Sequence, residues 1–442
     1  RLSCTVTRLD TCRSDGLWVY LVCIVSLHPD SADIMADIAS PLLEEIEALL
    51  GKVDVGTFVE AGPAFCRCVT ELQLALRRAE APLVVDAMAA ALLDGLWEQL
   101  NVGSWKTVPV ILRTVFSYAS LVRAYAALIG GDETRAISIL DRGLILGAPL
   151  GDGSQPNWLS YAAGRAHGRW QIPAELEVIV QQLETAEAAV KDVKSAMRDV
   201  ATGSVGAGMA DVDQATLPSV AEFVGLVAAK RPLKILRLMD GWQATTRWSV
   251  RHFLEVFGRR TVPIEVGSRY TDVEWSQKLV TLETFVRDYL QPEDINKTGY
   301  LAQYGLLEQV PELLADILIP DYCYVLSDAE PEINFWFGGR TTSPLHFDNR
   351  DNILTQVFGT KLVLLYGAEE SANLYPFEDA LLHNTSRADP ECPHDMRYPN
   401  FARAKGLRTI LRPGEALYIP KGCWHFVKSL SPTSCSISFW FS

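Results

Sequence analysis

The segment Ser343-Pro344-Leu345-His346-Phe347-Asp348 places an imidazole and a carboxylate two positions apart. On a strand, residues at that spacing project from one face. His346 and Asp348 then aim at a common point and make two-thirds of the 2-His-1-carboxylate facial triad of non-haem iron sites. Three ligands on one face of an octahedral Fe(II) leave three positions, two for chelation by 2-oxoglutarate and one for O2. The missing imidazole has to come from another strand. A later block, Pro413-Gly414-Glu415-Ala416-Leu417-Tyr418-Ile419-Pro420-Lys421-Gly422-Cys423-Trp424-His425, runs turn, apolar strand, turn, and then Trp-His opening a further strand. His425 is the candidate third ligand, because a sheet closed on itself brings distant strands together.

A lone His-x-Asp pair is a weak signal, and competing ligands exist. His383 and His394 lie in polar, loop-like sequence that suits a ligand less well. Cys392 and His394 suggest zinc, but no further pair at zinc spacing accompanies them. A 2-oxoglutarate enzyme also needs a cation for the distal carboxylate, since an unpaired buried carboxylate is costly. Lys361 opens the strand after Gly359-Thr360, and Asn352 opens the strand before it. By its own position Lys361 reads as an exposed strand-start lysine; only the barrel context gives it a ligand.

The elements that must hold these residues divide into two kinds. Residues 41–50, 71–100, 108–129, 133–146 and 174–200 have helical spacing and few breakers. They read as antiparallel helix pairs with short connections and no clean repeat period. Glycine-rich sequence at 203–208 and Pro218 mark a change of character, which places a domain boundary near residue 210. Helices follow at 220–229 and 275–290, with strands at 234–238 and 261–266. Short strands then dominate, at 300–303, 333–337, 352–358, 361–366, 407–411, 416–419, 424–427 and 436–441. Gly and Pro punctuate them, as an antiparallel barrel or jelly roll requires. The expected organisation is an extension at 1–34, a helical domain at 35–210 and a barrel domain at 211–442.

Composition bounds the remaining possibilities. The 442 residues allow two domains, and a net charge of -14 argues against non-specific nucleic-acid binding. The nine cysteines follow no disulfide spacing and read as reduced thiols. The apolar run at 17–27 is too short to span a membrane and reads as part of the extension.

Several stretches resemble the JmjC (jumonji-C) oxygenases, and among them the jumonji domain-containing protein five group. They are Arg259-Arg260-Thr261-Val262-Pro263-Ile264-Glu265-Val266-Gly267-Ser268-Arg269-Tyr270, Gly299-Tyr300-Leu301-Ala302-Gln303, Ile319-Pro320-Asp321-Tyr322-Cys323 and Ser438-Phe439-Trp440-Phe441-Ser442. The resemblance is close over 215–442; the helical half is similar in architecture only. It implies an α+β multidomain chain, an all-α region followed by a double-stranded β-helix (cupin) barrel. It also implies His346, Asp348 and His425 as iron ligands, and Tyr300, Ser343, Asn352, Lys361 and Trp440 around 2-oxoglutarate. Glu265, Tyr270 and Trp336 match positions at the substrate entrance. An acid and two aromatics suit a cationic side chain, arginine or methyl-lysine, on a protein such as a histone or chromatin-associated protein.

The implied chemistry is oxidation of a C–H bond by O2, with 2-oxoglutarate becoming succinate and CO2. Arginyl hydroxylation is favoured over methyl-lysine demethylation because the inferred pocket is narrow and acidic. A nuclear or cytoplasmic location follows from the resemblance. A cupin with a dead iron site, acting as a binding protein, and a zinc cupin are the alternatives from other classes.

Overall fold

The computed structural model describes residues 41–103, 107–151, 157–168, 170–189, 205–206, 208–267, 269–272, 274–291, 297–379 and 382–442. The extension expected at 1–34 lies outside these residues. The chain separates into two compact units, Arg1–Arg169 and Trp170–Ser442.

The first unit is helical: α1 (Pro41–Gly51), α2 (Pro63–Arg77), α3 (Pro82–Leu100), α4 (Val110–Ile129), α5 (Glu133–Leu146) and α6 (Trp158–His167). Ile46, Leu96, Tyr118, Leu140 and Leu159 are wholly buried in its shared core. The single helix expected over 71–100 is two helices, because Pro82 lacks the N–H of a helix interior and fits the first turn of α3. The Asp132 side chain accepts the Arg135 N–H and so starts α5. A Cβ at Gly143 would stand 2.4 Å from Leu159 and 2.7 Å from Ser120, so only glycine lets α5 pack this closely on its neighbours.

The second unit begins with α7 (Ala174–Ala189), not near residue 210. Leu176, Val180 and Leu183 sink into the core that also holds Phe253, Phe285 and Phe335, which makes α7 part of the barrel unit. Two sheets follow. The first has β1 (Ala210–Asp211), β11 (Gly406–Leu411), β10 (Lys361–Tyr366), β13 (Trp424–Ser429) and β8 (Thr342–Phe347), in that order. The second runs β2 (Gln214–Thr216), β3 (Leu233–Leu236), β12 (Ala416–Ile419), β9 (Asp351–Phe358), β14 (Ser434–Phe441), β7 (Glu332–Gly338), β6 (Gly299–Tyr304), β4 (Thr261–Val266) and β5 (Ser276–Thr281). Leu354, Val363, Leu365, Leu417, Ile419 and Val427 fill the space between the sheets. This is the expected cupin barrel, with α8 (Val220–Ala228), α9 (Val250–Phe257) and α10 (Leu282–Tyr289) packed beside it.

The helix expected over 275–290 is replaced in its first half by β5. Residues from Ser276 to Thr281 pair antiparallel with β4, and the Thr281 hydroxyl then caps α10. Sheet pairing overrides the helical spacing of this stretch. No described helix is long and apolar enough to cross a membrane.

Candidate active site

His346 and His425 lie directly opposite each other on β8 and β13. Their ring centroids are 4.2 Å apart. Asp348 stands just past the end of β8, its carboxylate 3.6 Å from His425 Nε2 and 4.0 Å from His346 Nε2. One ligand atom from each residue lies within 4.8 Å of the others, and this is the cluster among the described residues suited to hold a metal ion. Backbone carbonyls set the ring orientations. His346 Nδ1 is 2.7 Å from the Pro344 carbonyl and His425 Nδ1 is 3.1 Å from that of Cys423. A carbonyl only accepts, so each Nδ1 carries the proton and each Nε2 offers its lone pair inward. Burial, with His346 beside it, pushes the His425 pKa down to about 4 and keeps the ring neutral.

Residues 382–388, which read as loop in the sequence, cover the outer edge of β8. Thr385 bridges to His346, Phe347 N–H donates to the Asn384 carbonyl and Ser386 N–H donates to the Leu345 carbonyl. Neither His383 nor His394 joins the cluster. Cys392 and His394 are exposed, and no metal cluster forms around them among the described residues.

Deeper in the barrel, Lys361 is 2 % exposed, not the exposed lysine its place at a strand start suggests. It opens β10 facing inward, and its Nζ crosses the interior to the Tyr300 hydroxyl of β6 at 3.4 Å. Burial pushes its pKa down to about 8. Burial also pushes the Tyr300 hydroxyl far up, against hydrogen bonds from the Thr341 and Ser343 side chains. Asn352 and Trp440 face each other across β9 and β14. Asn352 Oδ1 and Trp440 Nε1 are buried and find no hydrogen-bond partner among the described residues. A buried ammonium with only a neutral partner, together with the orphaned indole N–H of Trp440, fits a small polar anion such as a dicarboxylate, whereas Asn352 Oδ1 accepts and would need a donor.

Glu265, Tyr300 and Gly338 are successive cross-strand partners on β4, β6 and β7, so Glu265, Tyr300 and Trp336 share the inner face. The Tyr300 and Trp336 rings are 5.8 Å apart, and Trp336 Nε1 donates to Ser438 Oγ at 2.8 Å. Burial pushes the Glu265 carboxyl up, opposed in part by the Trp275 indole. Tyr270 stands perpendicular to His346 at 6.3 Å and shares a 3.2 Å hydrogen bond with Thr385. Arg269 beside it is clamped by Asp389, at 2.6 Å, and by Glu391. Sequence reasoning missed Thr341, Thr385 and this clamp. All three lie in irregular segments with no periodic signal.

The description "Cupin-like domain" matches residues 219–442, and "KDM8-like, N-terminal ARM repeats" matches residues 75–152. The likeness therefore extends into the helical half in sequence and not in architecture alone. "Lysine-specific demethylase 8" of Xenopus tropicalis is 35% identical over 437 residues, covering 90% of this chain and 96% of that protein. The Danio rerio protein of the same name is 38% identical, covering 80% of this chain and 87% of its own. "Jumonji C domain-containing protein 5" of Drosophila melanogaster is 32% identical, over 80% of this chain and 86% of its own.

Proposed function

Because this chain belongs to the cupin-like JmjC oxygenase family, we propose that it uses Fe(II) and 2-oxoglutarate to hydroxylate a cationic protein side chain, an arginine carbon in preference to N-methyl-lysine. The observation that carries this reading is a His-Asp-His cluster sharing one barrel interior with the buried cation Lys361. His346, Asp348 and His425 would hold the iron. Lys361 and Tyr300, with Ser343, would take the distal carboxylate of 2-oxoglutarate, and beside it Trp440 would donate its orphaned indole N–H and Asn352 its side-chain amide N–H. When bound, the iron and 2-oxoglutarate supply O2 activation, and 2-oxoglutarate leaves as succinate and CO2.

The chain's own residues supply orientation and selectivity. The Pro344 and Cys423 carbonyls keep both imidazoles turned with Nε2 inward. Glu265 gives a partly desolvated carboxylate for a guanidinium or ammonium, and Trp336 and Tyr270 give flat walls for cation–π contact. One acid between two aromatics suits a planar guanidinium better than a trimethylammonium, which needs a fuller aromatic cage. The names of the relatives speak for the second reading, lysine demethylation. There the hydroxyl falls on an N-methyl carbon and formaldehyde leaves. A nuclear or cytoplasmic histone or chromatin-associated protein is the substrate class we propose.

Purified protein with Fe(II) should convert 2-oxoglutarate to succinate, and His346→Ala should abolish this. Retained turnover in that variant rejects the assignment. Mass spectrometry of arginine and methyl-lysine peptides separates the two readings, by gain of one oxygen against loss of one methyl group.

A further inference from the structure

Asp351 is outside the triad, yet it follows the segment that carries one half of it and its carboxylate holds the segment that leads to the other half. It opens β9 three residues after Asp348 and is buried. Its Oδ1 accepts the Tyr418 hydroxyl at 2.6 Å and the Lys421 backbone N–H at 3.1 Å. Tyr418 is itself wholly buried on β12 and packs edge-on against Phe223, so the donor is held in place. The next N–H of the turn, on Gly422, donates to the Asp348 carbonyl at 2.9 Å. Gly422 has a φ of 78°, the left-handed conformation that glycine adopts without strain. The turn then delivers Cys423, whose carbonyl orients His425.

An unbroken ladder with β10 holds His425 in β13, but the pairing that sets it against His346 is less regular. The β8–β13 ladder is interrupted by a bulge between His425 and Val427, which loosens the register on one side. On the other side lies the turn at 420–422, which joins β12 to β13. A buried carboxylate is a costly way to hold a turn, and a charge-assisted bond is about twice as strong as a neutral one. Both the cost and the strength make sense where a position has to be held closely.

We propose that Asp351 is a positioning residue for the metal site, a strap that ties the turn before His425 to the His346-Phe347-Asp348 segment. With Tyr418 it sets the distance at which the two halves of the triad meet. The inference rests on the triad being a metal site, and the experiment separates the two ideas.

The full-length protein is titrated with Mn(II), a redox-inert stand-in, by calorimetry and by electron paramagnetic resonance. The metal-free melting temperature is recorded alongside. Asp351→Ala is expected to weaken Mn(II) binding by about 10–100-fold, the usual effect of losing an outer-shell partner. Asp351→Asn, whose amide oxygen still accepts both bonds, should bind within a few-fold of wild type. Tyr418→Phe should fall between them and change the Mn(II) line shape. A purely structural Asp351 would lower the melting temperature and leave Mn(II) affinity untouched; that result overturns the strap. So does Asp351→Asn binding as poorly as Asp351→Ala. If Asp351→Ala fails to fold, Tyr418→Phe decides, and wild-type affinity in that variant overturns the strap. Failure of the wild-type protein to bind Mn(II) overturns the metal site, and the strap with it.

Discussion

Lys361 shows what one residue contributes when the fold removes it from water. Its pKa, pushed down to about 8 by burial, means that its charge is full below that pH and empties above it. A bound carboxylate favours the charged form, so affinity for 2-oxoglutarate should be greatest below about pH 8. It should then weaken by up to about tenfold per pH unit. Calorimetric titration of 2-oxoglutarate across this range tests it, with Lys361→Gln expected to bind weakly at every pH. A flat wild-type profile through about pH 9.5 rejects Lys361 as the carboxylate's partner. The sign for fold stability is the opposite. The unfolded lysine keeps its proton to about pH 10.4, so between the two values the unfolded chain binds more protons. Rising pH there relieves the cost of burying the ammonium instead of adding to it.

At the scale of elements, the connection from β9 in one sheet to β10 in the other delivers both Asn352 and Lys361 to the barrel interior. Its turn depends on Gly359, which has a φ of 74° and whose added Cβ would meet the Thr433 carbonyl at 2.3 Å. Both the strained φ and the clash with backbone oppose any side chain. Gly359→Ala should cost about 2–4 kcal/mol in urea unfolding and weaken 2-oxoglutarate binding, because Lys361 lies two residues on. A loss below about 0.5 kcal/mol would show that the turn relaxes freely. The edge strand β5 illustrates a different point. Its residues are mostly exposed, and only their pairing with β4 makes them a strand.

At the scale of the whole molecule, the compact barrel unit starts at Trp170 and includes α7. Leu176, Val180 and Leu183 are at most 1% exposed, and burying each contributes about 1.5–3 kcal/mol as an upper figure. A fragment of residues 170–442 should therefore melt cooperatively. A fragment of residues 211–442 should lose on the order of 5 kcal/mol and melt lower or aggregate. Equal melting temperatures for the two fragments would show that α7 is dispensable and restore the boundary near residue 210.

The pairing of His346 with Asp348 was readable from the chain alone, because strand geometry is local and spacing by itself puts two side chains on one face. The short-strand pattern of the barrel was readable for the same reason. The places of Glu265, Tyr270 and Trp336 were not. The resemblance alone pointed to them, and the face that Glu265 shares with Trp336 depends on the registers of β4, β6 and β7. Burial is not a local property either. Lys361 looks like any lysine at a strand start until β6 closes over it, and α7 looks like one more helix of the first half until its leucines meet the barrel core. The strap required most from the fold, since Asp351, Tyr418 and Lys421 are brought together only when β9 and β12 pair. Local periodicity determined which residues share a face. Long-range pairing and exclusion of water, which no short window of sequence contains, decided which faces meet and what charge they keep there.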